Sequence, residues 1–530
     1  MKKLLSILLI VTMYRGAYAQ APLKTSLELL GTRSWIRIDL PNQQNEISEY
    51  RLSWSETGQK PDLPNVIVKP DIERYYIQEI VPETTYTVWV DGYHSENLVT
   101  AAKGKVLTQK DWILDKKELH ELNINPSSKA VPKGMQLFWH DEFNDQLLNR
   151  NKWFISYYST IDHLRGEFEE DMRNDNLPIA AYTLNGKTID LFVNDSLPVK
   201  VYDKKSGKKI SSIQTYNWRT NENLLDNSRG GYFEVKVKRS STGKPRGLNT
   251  AFWFDSPGPD LRYYLEQGTT LNGVTGIRPK GQVFEIDIFE YLNAQFVLHG
   301  HVNNKGEFQH NLATHIAKGY THVDQWVTHG ILWTPTAVKH YINGDLIKEY
   351  TDKHQVYSPN HFMNVLLGSY GGGGTVNMEV DYIRGYQWPL KDGNELPNPG
   401  FEDSGSLIPW EGTGSLTEGD QKNGRHAVLL KPGENIEQYV YLNNSTTYKL
   451  EYWQKGITDA EVSVYNVTQV SGESEQIISV NSKGKNKYTK KSVSFKTGKE
   501  FDDNMKTIRL LIVNKGTNDL YLDDINVKKE

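Results

Sequence analysis

Short runs of alternating apolar and polar residues dominate the N-terminal part of the chain. Clear examples are residues 34–40, 50–54 and 86–90, where large apolar side chains recur at every second position. A period of two is typical of a β-strand that buries one face, and Pro, Asn, Gly and Ser between the runs indicate turns. We therefore predict a small β-sandwich over residues 23–108.

The same kind of pattern fills a much longer central region. Strand-like runs such as 231–238, 249–254 and 364–367 follow one another between residues 134 and 389, with almost no helical periodicity. So long a series of strands predicts a large antiparallel sandwich. A sandwich of this size can curve, and its concave face can hold an extended polymer.

Two polar segments separate the central region from its flanks. Residues 109–133 are charged and have few apolar anchors, and residues 390–400 are rich in turn-forming Gly, Pro and Asn. Strand signals resume over residues 401–530. The predicted fold class is all-β, with a central sandwich between two smaller β-sandwich modules.

One central run, Phe-Glu-Ile-Asp-Ile-Phe-Glu, threads Glu285, Asp287 and Glu290 through large apolar side chains. Strict alternation puts Glu285 and Asp287 on one face of a strand and Glu290 on the other. A one-residue β-bulge at Ile288 or Phe289 would return Glu290 to the shared face, and bulges recur beside active sites. We predict such a bulge, with the three acids lining one cleft.

Three carboxylates at close range cannot all ionise freely, so at least one of their pKa values must rise. Glycoside hydrolysis needs such a divergence, with one carboxylate as nucleophile or base and one protonated carboxylic acid. The alternative is an ordinary half-exposed strand with a solvated acidic face. The apolar setting favours the catalytic interpretation.

Composition and charge narrow the possible partners. With 61 Lys and Arg against 65 Asp and Glu, the formal net charge is −4, and no basic block suggests nucleic acid or an anionic membrane. The 13 Trp, 30 Tyr and 16 Phe residues suit both β-sheet surfaces and sugar rings. We expect a polysaccharide partner and predict no obligate protein partner.

Residues 1–19 have the features of a secretory signal peptide. Lys2 and Lys3 precede the apolar stretch 4–13, which is too short to span a bilayer, and Ala-Tyr-Ala at 17–19 fits a cleavage site. The chain has no cysteine, so it offers neither disulfides nor a lipid-anchoring cysteine. We expect a secreted or periplasmic protein without a membrane span.

The central region resembles glycoside hydrolase family 16. The resemblance rests on Glu-x-Asp-x-x-Glu at 285–290, on Gly-Tyr-Phe-Glu at 231–234 and Ala-Phe-Trp-Phe at 251–254, and on the runs at 138–143 and 380–384. It implies a concanavalin-like β-jelly-roll that hydrolyses internal β-1,3 or β-1,4 linkages with retention of configuration. It also implies that catalysis needs no cofactor.

The same resemblance assigns roles to the three acids. It makes Glu285 the nucleophile, Asp287 the residue that holds and tunes it, and Glu290 the general acid and then base. A retaining enzyme needs its two catalytic carboxyl groups about 5–5.5 Å apart. Glu285 and Glu290 are five positions apart in sequence, so this requirement depends on the predicted bulge.

Four further residues are candidates for substrate binding. Trp253 is a candidate sugar platform, although a core tryptophan is as plausible. His299 and His301 share a face by alternation and could bond an acid or a sugar hydroxyl, whereas a metal site would need a third ligand. Arg262 lies in the insertion 256–282, which is longer than in laminarinase-like members.

The sequence is compatible with two classes of substrate, a β-glucan and a galactan of the agar, porphyran or carrageenan type. The insertion and the Gly-rich run at 368–374, which replaces a Trp-containing motif, both depart from glucan-cleaving members. Two alternatives are a non-catalytic polysaccharide-binding protein on the same fold and a transglycosylase. The intact acids weigh against the former, and no residue separates the latter from a hydrolase.

The flanks resemble known modules. Trp54 and a corner-closing Tyr86 are similar to those of a fibronectin type III module. Asn-Pro-Gly-Phe-Glu at 398–402 and Tyr-Leu-Asp-Asp at 521–524 resemble jelly-roll carbohydrate-binding modules. That resemblance implies a structural calcium, with Glu402 and Asp524 as the predicted ligands.

Overall fold

A computed structural model describes the chain in segments. The described residues are 23–24, 27–31, 35–40, 47–70, 74–78, 80–81, 84–108, 129–159, 177–197, 201–203, 208–217, 222–255, 270–271, 274–275, 285–292, 295–298, 313–317, 324–351, 363–443, 445–468, 474–498 and 506–530. The predicted signal peptide and most of the predicted linker 109–133 lie outside them. The chain divides into two compact units, residues 1–111 and 112–530.

The first unit consists of strands in its described part. They are β1 (Leu23–Lys24), β2 (Glu28–Gly31), β3 (Trp35–Asp39), β4 (Glu49–Ser55), β5 (Val66–Val68), β6 (Arg74–Gln78), β7 (Thr85–His94) and β8 (Asn97–Leu107). One sheet has the order β1-β8-β7-β4-β5 and the other β2-β3-β6. Ile38, Leu52 and Val88 are among the residues of the core of this unit. The hydroxyl of Tyr86 accepts a hydrogen bond from the Val81 amide at 2.9 Å.

The second unit begins with the strands of the central region. They are β9 (Gln136–Asp141), β10 (Tyr182–Leu184), β11 (Ile189–Val193), β12 (Val201–Asp203), β13 (Lys208–Gln214), β14 (Tyr216–Asn217), β15 (Glu222–Asn223), β16 (Gly231–Asp255), β17 (Thr270–Leu271), β18 (Val274–Thr275), β19 (Glu285–Glu290), β20 (Gln295–Leu298), β21 (Ala313–Ile316), β22 (Trp326–Trp333), β23 (Val338–Ile342), β24 (Asp345–Tyr350) and β25 (Asn364–Gln387).

Two long strands, β16 and β25, organise this region. They pair antiparallel from Tyr232 opposite Tyr386 to Asp255 opposite Asn364, with register shifts around residues 243–249. The first half of β16 also pairs with β22, and its second half pairs with β19. Phe233 and Phe254, from the two halves, meet edge to face with ring centroids 5.3 Å apart. The strand therefore folds over, and both halves enclose one core.

Glycines mark the bend between the two halves. Gly243 in β16 and Gly371 in β25 have φ values of +97° and +131°. Residues other than glycine rarely adopt this backbone conformation. A Cβ on Gly371 would lie 2.8 Å from the Gly247 carbonyl oxygen. The Gly-rich run at 368–374 thus includes residues that the close crossing of these strands requires.

The remaining strands form the C-terminal part of the second unit. They are β26 (Glu411–Gly412), β27 (Ser415–Glu418), β28 (His426–Leu430), β29 (Asn435–Val440), β30 (Thr447–Lys455), β31 (Asp459–Thr468), β32 (Ser474–Lys483), β33 (Thr489–Lys496), β34 (Lys506–Asn514) and β35 (Leu520–Lys529), preceded by a 3₁₀ turn at Asp403–Gly405. Two five-stranded sheets, β26-β29-β34-β31-β32 and β27-β28-β35-β30-β33, face a separate core that includes Tyr448, Val462 and Leu522.

The predicted all-β fold class is confirmed, since strands are the regular elements throughout the described residues apart from that single 3₁₀ turn. A search of the described segments finds no helix with the length and apolar character needed to cross a membrane. The predicted module boundaries stay predictions.

Candidate active site

The acidic strand β19 lies between β16 and β20. On β16, Trp253 is opposite Asp287 and Phe252 is opposite Phe289, so one step on β16 corresponds to two steps on β19. Ile288 is the extra residue. The register against β20 shifts over the same stretch. The predicted one-residue bulge is therefore confirmed.

The bulge sorts the side chains of β19 onto two faces. Its apolar members, Ile286, Ile288 and Phe289, are fully buried in the central core. A hydrogen bond joins the side chains of Asp287 and Glu285, and the charge of Glu290 acts on Asp287. The strand thus holds its three acids together, away from the core that its apolar residues fill.

A fourth acid belongs to this group. Asp255, at the end of β16, is directly opposite Glu285, and residues opposed on neighbouring strands share a face of the sheet. Its side chain is fully buried, and its charge raises the pKa of Asp287. Four carboxyl groups therefore come from two adjacent strands.

Asp287 is the best-shielded acid of β19, with 2% of its surface exposed. Burial raises its pKa well above the ordinary value, and the charge of Glu290 raises it further, whereas the hydrogen bond with Glu285 opposes the shift. Burial disfavours a charged carboxylate because the interior solvates it poorly. Asp287 therefore holds a proton at pH values where a free aspartate has lost it.

Glu290 is positioned by an asparagine from β16. Asn249 donates from Nδ2 to Glu290 Oε1 at 3.0 Å, and its Oδ1 accepts from the amide of Tyr291 at 2.5 Å. Because a backbone amide can only donate, this second bond fixes which end of the Asn249 side chain faces Glu290. One oxygen of Glu290 is thereby occupied by a donor.

Tyr291, the residue after the strand, has a φ of +58°, which is uncommon for a tyrosine. Its amide is held by Asn249, and its carbonyl accepts from Arg239 Nη1 at 3.0 Å. Arg239 is fully buried, lies 5.0 Å from the Phe289 ring, and has its pKa lowered to about 10 by burial. The Tyr291 hydroxyl bonds Glu290, and burial and that carboxylate raise the tyrosine pKa.

Trp253 shares the acid-bearing face because it is opposite Asp287. It is only 5% exposed, and its indole N–H donates to the Tyr370 hydroxyl at 3.0 Å. That hydroxyl donates in turn to Ser212 Oγ at 3.3 Å, and the Tyr157 ring lies 6.5 Å from the tryptophan. So little exposed ring favours the core alternative for Trp253, and its sugar contact stays a prediction.

The other predicted substrate contacts, Arg262, His299 and His301, lie outside the described residues. Within the described segments, no group of three or more His, Asp or Glu side chains is arranged to hold a metal ion. Glu402 Oε1 accepts from the amides of Arg425 and His426 at 2.7 and 2.8 Å. These donors already satisfy that oxygen.

Asp524 accepts from the Asn423 side-chain amide. Gly400 lies close to both predicted calcium ligands: a Cβ there would lie 3.2 Å from Asp524 Oδ1 and 3.9 Å from Glu402 Cγ. The two residues are therefore neighbours, and a calcium between them stays a prediction.

Several site residues were not singled out from the sequence as part of the acid cluster, namely Asn249, Asp255, Tyr291 and Tyr370. Alternation could have found Asn249 and Asp255, because they are four and two positions from Trp253 on the same strand. Tyr370 joins the site through strand pairing with β16, opposite Asn249.

Together the folded-over sandwich and its acidic strand form the candidate active site. Residues 201–384 match the family model described as Glycosyl hydrolases family 16. That part of the chain is therefore similar to glycoside hydrolase family 16, whose members retain the configuration of the sugar.

Several known proteins are similar to parts of the chain. The chain is 22% identical over 310 residues to "Glucan endo-1,3-beta-glucosidase A1" of Niallia circulans, covering 52% of this chain and 41% of the relative. It thus spans about two fifths of that relative's length. Among solved structures, the GlcNAcα1-4Gal releasing endo-β-galactosidase from Clostridium perfringens is 18% identical with a TM-score of 0.36, covering 57% of this chain and 81% of that one. The laminarinase catalytic domain from Thermotoga maritima is 18% identical with a TM-score of 0.31, covering 48% and 99%.

Proposed function

We propose that this protein is a secreted, retaining endo-β-glycanase that hydrolyses internal β-1,3 or β-1,4 linkages of a polysaccharide. The observation that carries the proposal is the bulge at Ile288, which sets Glu290 with Glu285 and Asp287. If the same six residues alternated strictly, without the bulge, Glu290 would point into the core.

Glu285 is the proposed nucleophile. Its carboxylate attacks the anomeric carbon while Glu290 gives its proton to the glycosidic oxygen, so the C–O bond breaks and the leaving sugar departs as an alcohol. The product is a glycosyl ester on Glu285. In the second half, Glu290 removes a proton from water, which attacks the same carbon and releases Glu285 as a carboxylate. Two inversions give net retention.

Asp287 is proposed to keep its proton and share it with Glu285. Its raised pKa and its hydrogen bond to Glu285 support this role. A protonated Asp287 donates to the nucleophile without adding a second negative charge beside it. The bond also restrains the orientation of the Glu285 carboxyl group, so attack does not have to wait for a rotamer change.

Asn249 and Tyr291 are proposed to orient Glu290. With Oε1 held by the Asn249 amide, the proton of the acid form belongs on Oε2, which is then the oxygen that faces the leaving group. The proposal needs no metal or organic cofactor for catalysis.

The proposed substrate is a β-glucan or a galactan of the agar, porphyran or carrageenan type. The curated relative named for β-1,3-glucan supports the first of these. The flanking regions are proposed to be a fibronectin type III-like module and a jelly-roll carbohydrate-binding-like module with structural calcium at Glu402 and Asp524. Export through the N-terminal signal would bring the enzyme to its polymer.

One experiment tests both reaction and substrate. The purified chain is incubated with laminarin, lichenan, agarose, porphyran and κ-carrageenan, and products are sized over time. Early appearance of mid-sized oligosaccharides from one polymer is the expected result. Products longer than an added oligosaccharide would identify a transglycosylase instead.

The matched variants are Glu285→Gln and Glu379→Gln. The former should lose about a thousandfold or more of the turnover and keep polysaccharide binding. Glu379, on β25, forms a half-exposed ion pair with Lys238 and is not one of the clustered acids, so its variant should cleave normally. Normal product release by Glu285→Gln would remove Glu285 as nucleophile.

A further inference from the structure

A cavity of about 530 Å³ lies where the central sandwich meets the C-terminal strands. We call it the seam cavity, and its walls include Arg229, Thr334 and Trp388 on the central side and Glu395, Trp410 and Tyr441 on the other. Its volume falls within the roughly 300–1,000 Å³ of typical ligand sites. None of the acids of β19 lines it, so it is separate from the candidate active site.

A direct contact joins the two walls. Thr336 donates from its hydroxyl to Glu411 Oε1 at 3.3 Å, across the seam. On the central wall, Arg229 donates to the Trp388 carbonyl and to Gln387 Oε1 at 3.3 and 2.9 Å. The cavity is therefore a defined space between bonded walls.

The charges that line the cavity balance one another. Lys339 pairs with Glu349 at 2.8 Å. Burial raises the pKa of Glu395, and the nearby charge of Arg229 opposes that rise. Neither basic residue on these walls lacks an acidic neighbour. An anionic ligand such as a sulfated sugar or a phosphate would have to displace these partners.

The walls of the cavity include several hydrogen-bond acceptors. Besides the carboxylates, Gln438 lines the cavity with 2% of its surface exposed, and its Oε1 has no hydrogen-bond donor among the described residues. A buried acceptor without a donor lowers the stability of the fold. A ligand rich in hydroxyl groups would supply donors to these walls.

Aromatic rings lie beside those acceptors. Trp388 and Tyr441 are half-buried on opposite walls. Flat rings next to carboxylate and amide oxygens suit a molecule with apolar C–H faces and hydroxyl edges. We infer that the seam cavity binds a neutral saccharide unit, as a second carbohydrate site distinct from the catalytic cleft.

The inference does not rest on the proposed reaction, because binding can be read in a full-length Glu285→Gln chain whether or not the parent cleaves. Laminaritetraose, cellotetraose and neoagarotetraose serve as neutral probes, and a κ-carrageenan tetrasaccharide as the sulfated one. Calorimetry counts the binding events, and hydrogen exchange read by mass spectrometry locates them.

With one neutral probe, we expect slower exchange at residues 334–339 and 408–411 and a calorimetric event beyond that of the cleft. Tyr441→Ala should weaken the seam event at least tenfold. Tyr465→Ala is the matched control, a half-buried tyrosine on β31 that does not line the cavity, and it should change affinity less than twofold.

Glu395→Gln is the second variant, should Tyr441→Ala fold poorly, and it should also weaken the seam event. Lack of protection at both segments with every neutral probe would overturn the inference. So would protection that survives both cavity variants, or tighter binding of the sulfated probe. If Tyr465→Ala alone abolished the second binding event, the site would lie on the open face of the β29-β34-β31 sheet and not in the seam cavity.

Discussion

Asn249 Nδ2 donates a hydrogen bond of 3.0 Å to Glu290 Oε1. The two residues come from neighbouring strands and are 41 positions apart in sequence, so sheet pairing alone brings them together. A carboxylic acid held on one oxygen can present its proton only from the other. The bond therefore fixes how the proposed general acid faces its leaving group.

Asn249→Ala should lower kcat/KM on the natural polymer by about 10- to 100-fold, the equivalent of about 1.5–3 kcal/mol for a hydrogen bond to a charged group. The kcat/KM of this variant on an aryl glycoside with a good leaving group should fall much less, because departure of that group needs little proton donation. Asn377→Ala, which removes a bond to Asp190 away from the acids, is the control. Equal losses on both substrates would contradict a role through Glu290.

Glu290→Ala should stop the first step on the natural polymer and leave an activated aryl substrate able to form the glycosyl ester. Added azide should then restore turnover, because it needs no base to attack. The expected product is a glycosyl azide of retained configuration, identified by NMR. An unchanged rate on the polymer would remove Glu290 from the mechanism.

Asp287→Asn should keep more activity than Asp287→Ala, because the amide still donates to Glu285 whereas alanine does not. We expect about a tenfold or greater difference in kcat/KM between the two variants. A wild-type pKa raised in the folded state means that stability is full below the unfolded pKa, near 3.8, and falls as pH rises toward the folded value. Asn at this position should therefore raise the melting temperature at pH 7, measured by calorimetry. An unchanged or lower melting temperature would contradict the raised pKa.

A second titrating cluster predicts acid sensitivity. His315 Nε2 lies 2.9 Å from His340 Nδ1, and both rings stack near Phe296. Burial lowers the pKa of His340 to about 3 and that of His315 to about 4. Folded pKa values below the unfolded 6.5 mean that stability is full above about pH 6.5 and falls as pH drops toward 4.

For buried His340 the loss is on the order of 2 kcal/mol by about pH 5, since each pKa unit corresponds to about 1.4 kcal/mol. Urea unfolding at pH 7 and pH 5 measures it. His340→Asn should be less stable at pH 7 and should lose less on going to pH 5. Exposed His94 offers the control, and His94→Asn should keep the parental pH dependence. If His340→Asn lost as much stability between pH 7 and pH 5 as the parent does, His340 would not be the source of the acid sensitivity.

The sequence was sufficient for the all-β class and for the bulge. Alternation of apolar and polar residues predicted the strands. Glu290 is out of phase with Glu285 in an apolar run, and a one-residue bulge is the simplest way to keep both acids on one face. Both inferences are local, since they need only the period of a strand and the cost of burying a charge.

Contacts that depend on the register between distant strands could not be predicted from the sequence. Asp255 joins the acids because it lies opposite Glu285, and Arg239 reaches Tyr291 because β16 bends. The Gly-rich run at 368–374 suggested altered specificity, but the positive φ and tight packing of Gly371 show a backbone reason for at least part of it. Register between distant strands depends on which strands pair, and the alternation within each strand does not show that.

The bulge also has a genetic consequence. Deleting the single codon for Ile288 would leave Glu285, Asp287 and the shifted Glu290 at every second residue, so all three acids would keep the shared face without a bulge. Phe289 would then take the core position that Ile288 now fills. Deleting Ile286 instead would make Glu285 and Asp287 adjacent, on opposite faces of the strand. A mutational scan of deletions across β19 would therefore find residue 286 less tolerant than residue 288.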